Sequence, residues 1–220
     1  MKSTKKHIYF VPGTAANAKI FERLALPEAL YECHYLEWML PSSKDETIED
    51  YAGRLCQKIK HQNPILVGVS FGGVMVQEMA KHIACEKIVL ISSIKSHHEL
   101  SNKMQFIRDT KAYRLFPSRI LNSILRFIAA VSTSKTTRRL EQYQMYLSFR
   151  EPLYLNWAIK QVLQWKQTSP LPNTIHIHGT NDFIFPIHYI KNCISIEKGT
   201  HIMIVTKAKT ISAQLLKNLV

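Results

Sequence analysis

The chain has 220 residues and a formal net charge of +13 at pH 7, with 46% hydrophobic and 20% charged residues. This length and composition are typical of one soluble globular domain with a sizeable core, and they exclude a low-complexity chain. The positive charge is compatible with an acidic protein or substrate, an anionic membrane, nucleic acid, or a basic surface that only keeps the protein soluble. No nucleic-acid-binding motif stands out, so we expect no nucleic acid as a partner.

No apolar run approaches the length of a membrane-spanning helix, and the run at 8–11 is too short for a secretory signal. The four cysteines are far apart in the sequence and show no paired spacing: Cys33, Cys56, Cys85 and Cys193. We therefore expect a cytoplasmic protein with reduced, buried cysteines and no metal bound to them.

Short apolar runs alternate with helical patterns up to about residue 92. This alternation predicts strands at 7–11, 33–39, 65–69 and 87–92, and helices at about 18–31, 47–59 and 71–83. The helix at 47–59 has the clearest pattern, because its apolar residues recur at helical spacing and Asp45 or Thr47 can cap its start.

The alternation stops at about residue 95. From there to about 166 the sequence predicts several helices, one of them at 117–131; strands resume at 174–178 and 193–197, and a last helix follows at about 202–219. Strand-helix alternation implies parallel strands with right-handed crossovers. We therefore predict a single α/β domain, 1–220: a doubly wound, mainly parallel six-stranded sheet with helices on both faces. A helical lid, about 95–168, is inserted after the fourth strand, between core segments 1–94 and 169–220.

The most informative motif is the five-residue stretch from Gly68 to Gly72, with Ser70 at its centre. It lies directly between a predicted buried strand and a predicted helix. A sharp turn at this point lifts the serine hydroxyl out of the backbone toward a base, and the flanking glycines avoid clashes with the strand and the helix. We therefore predict that Ser70 is a catalytic nucleophile.

A serine nucleophile needs a base, and the base needs a carboxylate that orients it. In an open parallel sheet the reactive groups collect at the carboxyl ends of the strands. Asp182 follows the fifth predicted strand and His201 follows the sixth, so the sequence predicts a triad of Ser70, His201 and Asp182.

Non-catalytic roles are also possible for the predicted acid and base. Asp182 can serve only as a turn cap, and His201 can be a solvated residue at the start of the last helix. His176 and His178 lie on the fifth strand itself, so packing or hydrogen bonding is their expected role. Asp109 is the other conceivable acid, but it falls in the predicted lid and is discounted.

A tetrahedral intermediate also needs hydrogen-bond donors for its oxyanion. The first predicted donor is the backbone N–H of Phe71, because it follows the nucleophile at the start of a helix. The second is the backbone N–H of Thr14, in the loop after the first strand, where Gly13 lets the backbone approach the substrate.

Together these motifs resemble the α/β-hydrolase superfamily. The resemblance covers about 7–93 and 173–218 and rests on the oxyanion loop, the Gly-x-Ser-x-Gly turn, the His-Gly-x-x-Asp-x-x-x-Pro acid loop and the Gly-x-His base loop. It implies that fold and a Ser-His-Asp triad that forms an acyl-enzyme, with no metal or organic cofactor. The chain departs from the family pattern where the oxyanion loop begins with Pro12-Gly13 in place of the frequent His-Gly.

The expected function is cleavage of a small-molecule carboxylic ester or thioester through an acyl-enzyme. Three alternatives remain open. The same triad can serve an amidase, an acyltransferase or a lyase-type synthase; the fold can be kept by a non-enzymatic binding module; or the charge alone can mark a protein that binds nucleic acid or membranes.

The predicted lid carries most of the excess charge, with thirteen Lys and Arg against four Asp and Glu between Lys95 and Lys166. The first interpretation is that its apolar side roofs the acyl pocket and its basic side faces water. The second is that it docks an acidic carrier protein bearing an acyl chain, or an anionic membrane surface. In fold and lid charge alone the chain resembles pimeloyl carrier-protein methyl ester esterases.

Overall fold

Six strands form one parallel sheet in the structure, a computed structural model that describes residues 5–114 and 145–219. In chain order the strands are β1 (Lys6–Val11), β2 (Tyr31–Tyr35), β3 (Ile65–Val69), β4 (Lys87–Ile91), β5 (Thr174–Gly179) and β6 (Ile194–Ile196). They lie in the order β2-β1-β3-β4-β5-β6, and all five neighbouring pairs are parallel. The strand order reverses between β1 and β3, so the loops that follow these two strands diverge and leave a crevice there.

Helices cover both faces of this sheet. They are α1 (Ile48–Cys56), α2 (Phe71–Met79), α3 (Asn102–Asp109), α4 (Pro152–Gln164), α5 (Met203–Thr206) and α6 (Ala208–Leu219). Neighbouring side chains on a strand point to opposite faces, so Tyr9 packs in the cluster that contains α1 and α2, whereas Ile8 packs in the cluster that contains α6. The predicted doubly wound sheet is therefore confirmed.

The helix predicted at 47–59 forms as α1, although it ends earlier, at Cys56. Thr47 caps its start, because the Thr47 hydroxyl oxygen accepts a hydrogen bond from the Asp50 N–H at 3.0 Å. The apolar positions of the pattern, including Tyr51 and Leu55, are buried against the sheet. The capping residue and the apolar pattern therefore both indicate the helix α1.

The helix predicted at about 18–31 is wrong. The structure has a short 3-10 turn at Ala18–Phe21, and residues 22–30 form turns and irregular chain. Pro27 has no N–H to donate and disfavours a helical conformation at the residue before it, which breaks the pattern in the middle. Leu30, one of the apolar residues in this predicted helix, is 48% exposed.

Other predicted boundaries also differ from the structure, and the helix predicted at 71–83 ends at Met79. The last predicted helix is two helices, α5 and α6, because Lys207 between them has a non-helical backbone with φ −124° and ψ 26°. The second strand ends at Tyr35 instead of 39, because the chain then leaves the sheet and buries Trp38 above the end of β3.

The cysteines are free thiols, but the prediction that all four are buried is wrong. Only Cys56 is buried, in α1; the other three are half-buried: Cys33, Cys85 and Cys193. Cys33 lies on the edge strand β2, which has a neighbouring strand on one side only, and the other two lie in loops.

Two helices of the predicted lid, α3 and α4, are described, whereas the helix predicted at 117–131 lies outside the described residues. α4 is anchored to the core by aromatic contacts: the ring centroids are 5.4 Å apart for Tyr154 and Trp38 and 4.4 Å apart for Trp157 and Tyr51. Within the described residues, no helix has the length and apolar character needed to span a membrane.

Candidate active site

Ser70 occupies a strained turn between β3 and α2. Its backbone has φ 55° and ψ −121°, a region that residues with a side chain rarely adopt. The glycines on either side make the turn possible: a Cβ on Gly68 would collide with the Gly72 carbonyl, and a Cβ on Gly72 would collide with the carbonyls of Val11 and Pro12. The turn is therefore packed directly against the end of β1.

Gly72→Ala should reduce the free energy of unfolding by roughly 3 kcal/mol or more, because the added methyl group meets backbone carbonyls that cannot move aside. Gly53→Ala is the matched control. Its Cβ would lie 3.5 Å from the His82 ring, an ordinary contact, and alanine favours the α1 helix by about 0.5–1 kcal/mol. Urea unfolding compares the two variants, and equal stabilities would contradict the argument.

The structure brings the three predicted triad residues together. Nε2 of His201 is 2.9 Å from Oγ of Ser70, and Nδ1 of His201 is 2.9 Å from Oδ2 and 3.1 Å from Oδ1 of Asp182. Ser70 follows β3, Asp182 follows β5 and His201 follows β6, so all three lie at the carboxyl edge of the sheet. A carboxylate, an imidazole and a hydroxyl thus form one hydrogen-bonded chain.

Asp182 is buried and held by more than the imidazole. Its Oδ1 accepts hydrogen bonds from the backbone N–H groups of Ile184 and Phe185, at 2.9 and 3.0 Å. Burial alone would raise the pKa of this carboxyl, but attraction to His201 and the hydrogen bonds from His201 and Phe185 outweigh it, so the pKa is lowered. Asp182 is therefore ionised at neutral pH and oriented toward His201.

The loops that carry the acid and the base are locked to each other. The Asn181 N–H donates to the Gly199 carbonyl at 2.8 Å, and the Lys198 N–H donates to the Thr180 hydroxyl at 2.8 Å. A Cβ on Gly179 would collide with the Gly199 backbone, so the two loops are in contact at their glycines. These hydrogen bonds and this close contact fix the positions of Asp182 and His201 relative to each other.

The predicted oxyanion loop passes beside the nucleophile. A Cβ built on Gly13 would lie 3.4 Å from Cβ of Ser70, which places Thr14 at the crevice between β1 and β3. Within residues 5–114 and 145–219, neither the Thr14 N–H nor the Phe71 N–H donates a hydrogen bond. Both predicted donors are thus free to bind an anionic oxygen.

Trp38 supports this loop, and no sequence pattern predicted this role. Its indole N–H donates to the Gly13 carbonyl at 2.9 Å, and its ring stacks on Phe71 with centroids 5.2 Å apart. Trp38 lies just beyond β2, where the strand pattern alone does not show which way a side chain points. One residue therefore holds both predicted oxyanion donors in place.

A chain of buried polar groups continues behind Asp182. Nε2 of His178 is 2.8 Å from the Phe185 carbonyl, so this nitrogen carries the proton, and Nδ1 accepts from Nε2 of His176 at 3.1 Å. Nδ1 of His176 then accepts from the Lys95 ammonium at 2.8 Å, and Lys95 pairs with the buried Glu99 at 2.8 Å. The prediction that the two strand histidines make hydrogen bonds is thus confirmed.

Both imidazoles in this chain are neutral at neutral pH. Burial is the largest cause that lowers the pKa of His176, well below its ordinary value, and the Lys95 charge adds to it. Burial also lowers the pKa of His178. Unfolding exposes both rings, which then take up protons at an ordinary pKa of about 6.5.

The free energy of unfolding should therefore fall as the pH drops below about 6.5, and His178→Gln should reduce this fall. The unfolded chain binds more protons than the folded chain in this range, so acid favours unfolding. Removing one such histidine should reduce the loss between pH 7 and pH 5.5 by about 1 kcal/mol. Urea unfolding at the two pH values measures it.

His188→Gln is the control for this experiment, since His188 is exposed. It should show the wild-type loss of stability between the two pH values. A His178→Gln chain with the same loss as the wild type would contradict the assignment of a neutral, buried ring.

No protein-family model matches the sequence, and no curated protein matches it significantly. Solved structures match it over nearly the whole chain. A bromoperoxidase from Bacillus anthracis has a TM-score of 0.71 at 19% identity, covering 99% of this chain and 92% of that chain. An esterase from Exiguobacterium antarcticum has a TM-score of 0.64 at 16% identity, covering 99% and 92%. An α/β hydrolase fold protein from Burkholderia ambifaria has a TM-score of 0.65 at 15% identity, covering 98% and 91%. The chain therefore has the α/β-hydrolase fold, as its motifs predicted.

Proposed function

We propose that the protein is a serine hydrolase that cleaves a carboxylic ester or thioester through an acyl-enzyme intermediate. The observation that carries the proposal is the hydrogen-bonded chain from Asp182 through His201 to Ser70. The fold by itself leaves the reaction open, since the similar structures include a bromoperoxidase as well as an esterase. The proposal therefore rests on the side chains of the site.

In the first half of the reaction, Nε2 of His201 takes the proton of Ser70 as Oγ attacks the acyl carbonyl carbon. The carbonyl oxygen becomes an oxyanion, which the N–H groups of Thr14 and Phe71 stabilise. Asp182 holds His201 in the tautomer with the proton on Nδ1 and stabilises the imidazolium that forms. His201 then gives its proton to the leaving alcohol or thiol, and Ser70 is left acylated.

In the second half, a water molecule takes the place of the leaving group. His201 removes a proton from it, the hydroxide attacks the acyl carbon, and the second tetrahedral intermediate expels Ser70 Oγ, which regains its proton from His201. Each step uses one imidazole and one pair of oxyanion donors, and none calls for a metal or an organic cofactor.

Within the described residues, the surroundings of Ser70 favour an uncharged acyl group. Phe71, Trp38 and Tyr154 form a buried aromatic wall on this side of the crevice. Such a wall excludes water, which strengthens the interaction of the oxyanion with its donors. It also offers nothing to balance a charge on the acyl chain.

Two esters with the same acyl group and different leaving groups test the proposal. For at least one acyl chain length, the p-nitrophenyl ester and the thioester should both be hydrolysed, and added methanol should divert a share of the acyl group to the methyl ester. That share should not depend on the leaving group, because both substrates form the same acyl-enzyme. No turnover of any ester or thioester, or a share that depends on the leaving group, would contradict the proposal.

The lid charge supports a narrower proposal, that the acyl group arrives on an acidic carrier protein. Part of that charge lies on α3, where Lys103 is exposed next to Phe106, a large apolar side chain that is 67% exposed. Docking by charge should weaken strongly between low and physiological ionic strength. Equal salt dependence for carrier-linked and free esters would favour a lid that only roofs the pocket.

A further inference from the structure

Three histidines that the proposed reaction does not use meet elsewhere on the sheet. His7 lies at the start of β1, His34 lies near the end of β2, and His61 lies in the segment that links α1 to β3. One ring nitrogen of each lies within 4.8 Å of the others. About 20 Å of extended chain separates His7 from Gly13, so the cluster is distinct from the Ser70 site.

The spacing of two of these rings suits a single metal ion. Nδ1 of His7 and Nε2 of His34 are 3.1 Å apart, and two ligands of a tetrahedral zinc ion are about 3.3 Å apart. The oxygens of Glu32, on the same face of β2 as His34, lie 3.8 Å from Nδ1 of His7 and 3.7 Å from Nε2 of His34. Two imidazoles and a carboxylate therefore converge on one point.

Tyr9 orients the third histidine. Its hydroxyl is 2.8 Å from Nδ1 of His61 and accepts the Lys60 N–H at 3.0 Å, which leaves Nε2 of His61 available to an ion. The His61 ring is stacked on His7 with centroids 3.5 Å apart, closer than the roughly 5 Å between two imidazoles on one tetrahedral ion. Binding therefore requires the His61 ring to rotate out of this stack.

The cluster is open to solvent and its surroundings are balanced in charge. It borders an open cleft of about 540 Å³, whose charged lining residues are two carboxylates and two ammonium groups: Glu32, Glu37, Lys58 and Lys60. An ion can therefore reach the rings without facing a net positive site.

We propose that His7, His34 and His61, together with Glu32, form a binding site for one Zn²⁺ ion. Imidazole and carboxylate are ligands that zinc prefers, and four of them complete a tetrahedral shell. The bound ion connects β1, the edge strand β2 and the segment before β3. Since the unfolded chain does not hold these groups together, the ion stabilises the folded state, and its role is structural.

Isothermal titration of the full chain with Zn²⁺ tests the proposal. The wild type should bind one ion, and its melting temperature should rise by roughly 5–10 °C at a free zinc concentration of about one hundred times Kd. His34→Gln should weaken binding by roughly tenfold or more. His188→Gln, which removes an exposed histidine, should bind as the wild type does.

Replacing His34 also removes its stacking on Tyr9, so the variant changes more than the metal ligand. A spectroscopic measurement on the wild type therefore complements the variants. Co²⁺ in a tetrahedral site absorbs strongly in visible light, and Zn²⁺ should displace it and abolish the band. Circular dichroism confirms that each variant is folded. Failure of the wild type to bind either ion, or folded His7→Gln and His34→Gln chains that bind zinc as tightly as the wild type, would overturn the proposal.

Discussion

Ser70→Ala should lower turnover of the best ester or thioester substrate by roughly 10⁴-fold or more, judged from other serine triads. The variant removes the only hydroxyl that contacts Nε2 of His201 within the described residues. The proposed oxyanion donors and the apolar wall remain, so the residual rate should exceed that of the reaction in water. Steady-state kinetics of the purified variant measure the effect.

Ser195→Ala is the matched control, because Ser195 is an exposed serine on β6. It should retain wild-type kinetics, and thermal unfolding should show that both variants are folded. A Ser70→Ala chain with unchanged turnover would rule out the serine mechanism, whatever the geometry of the neighbouring imidazole.

Asp182→Asn should reduce kcat by roughly 10⁴-fold while leaving substrate binding nearly unchanged. Because Oδ1 accepts the Ile184 and Phe185 N–H groups, the amide oxygen takes that position and the NH₂ group takes the position of Oδ2. The NH₂ group then faces Nδ1 of His201 and donates to it. This moves the ring proton to Nε2, where His201 can no longer accept the proton of Ser70.

Asp109→Asn provides the control, since Asp109 is an exposed acid on α3 that pairs with Arg108. Its kinetics should match those of the wild type. If instead Asp182→Asn kept most of its kcat, Asp182 would be only a turn cap, the non-catalytic role that its sequence position also allowed.

The parallel sheet was predictable because buried strands of this kind are short, continuous apolar runs, as in Ile65–Val69. The irregular chain that follows β1 was not predictable in the same way. Its apolar residues have helical spacing, but Pro27 and the capping of the 3-10 turn by Asn17 decide the local structure, and these effects act over only a few residues.

The three residues of the proposed triad were predictable because each follows a strand, and parallel strands bring their carboxyl ends to one edge. The residues that support them were not. Trp38 and Lys95 act through contacts with groups distant in sequence, namely the Gly13 carbonyl and the His176 ring. Tertiary packing creates those contacts, and no local sequence pattern predicts them.

The histidine cluster was also not predictable from the local sequence. His7, His34 and His61 have no metal-binding spacing in the sequence, because two neighbouring strands and a linking segment supply one ligand each. The parallel register of β1 and β2, which pairs His7 with Glu32 and Tyr9 with His34, is what brings the rings together.

Labelling with a fluorophosphonate tests the catalytic assignment most directly. This reagent is attacked only by an activated serine, and mass spectrometry of the tryptic digest locates the adduct. We predict one phosphonyl group per chain, on Ser70 within the peptide 61–81, and loss of labelling in His201→Gln. A folded wild-type protein that is not labelled, or is labelled at another residue while Ser70 stays unmodified, would contradict the account.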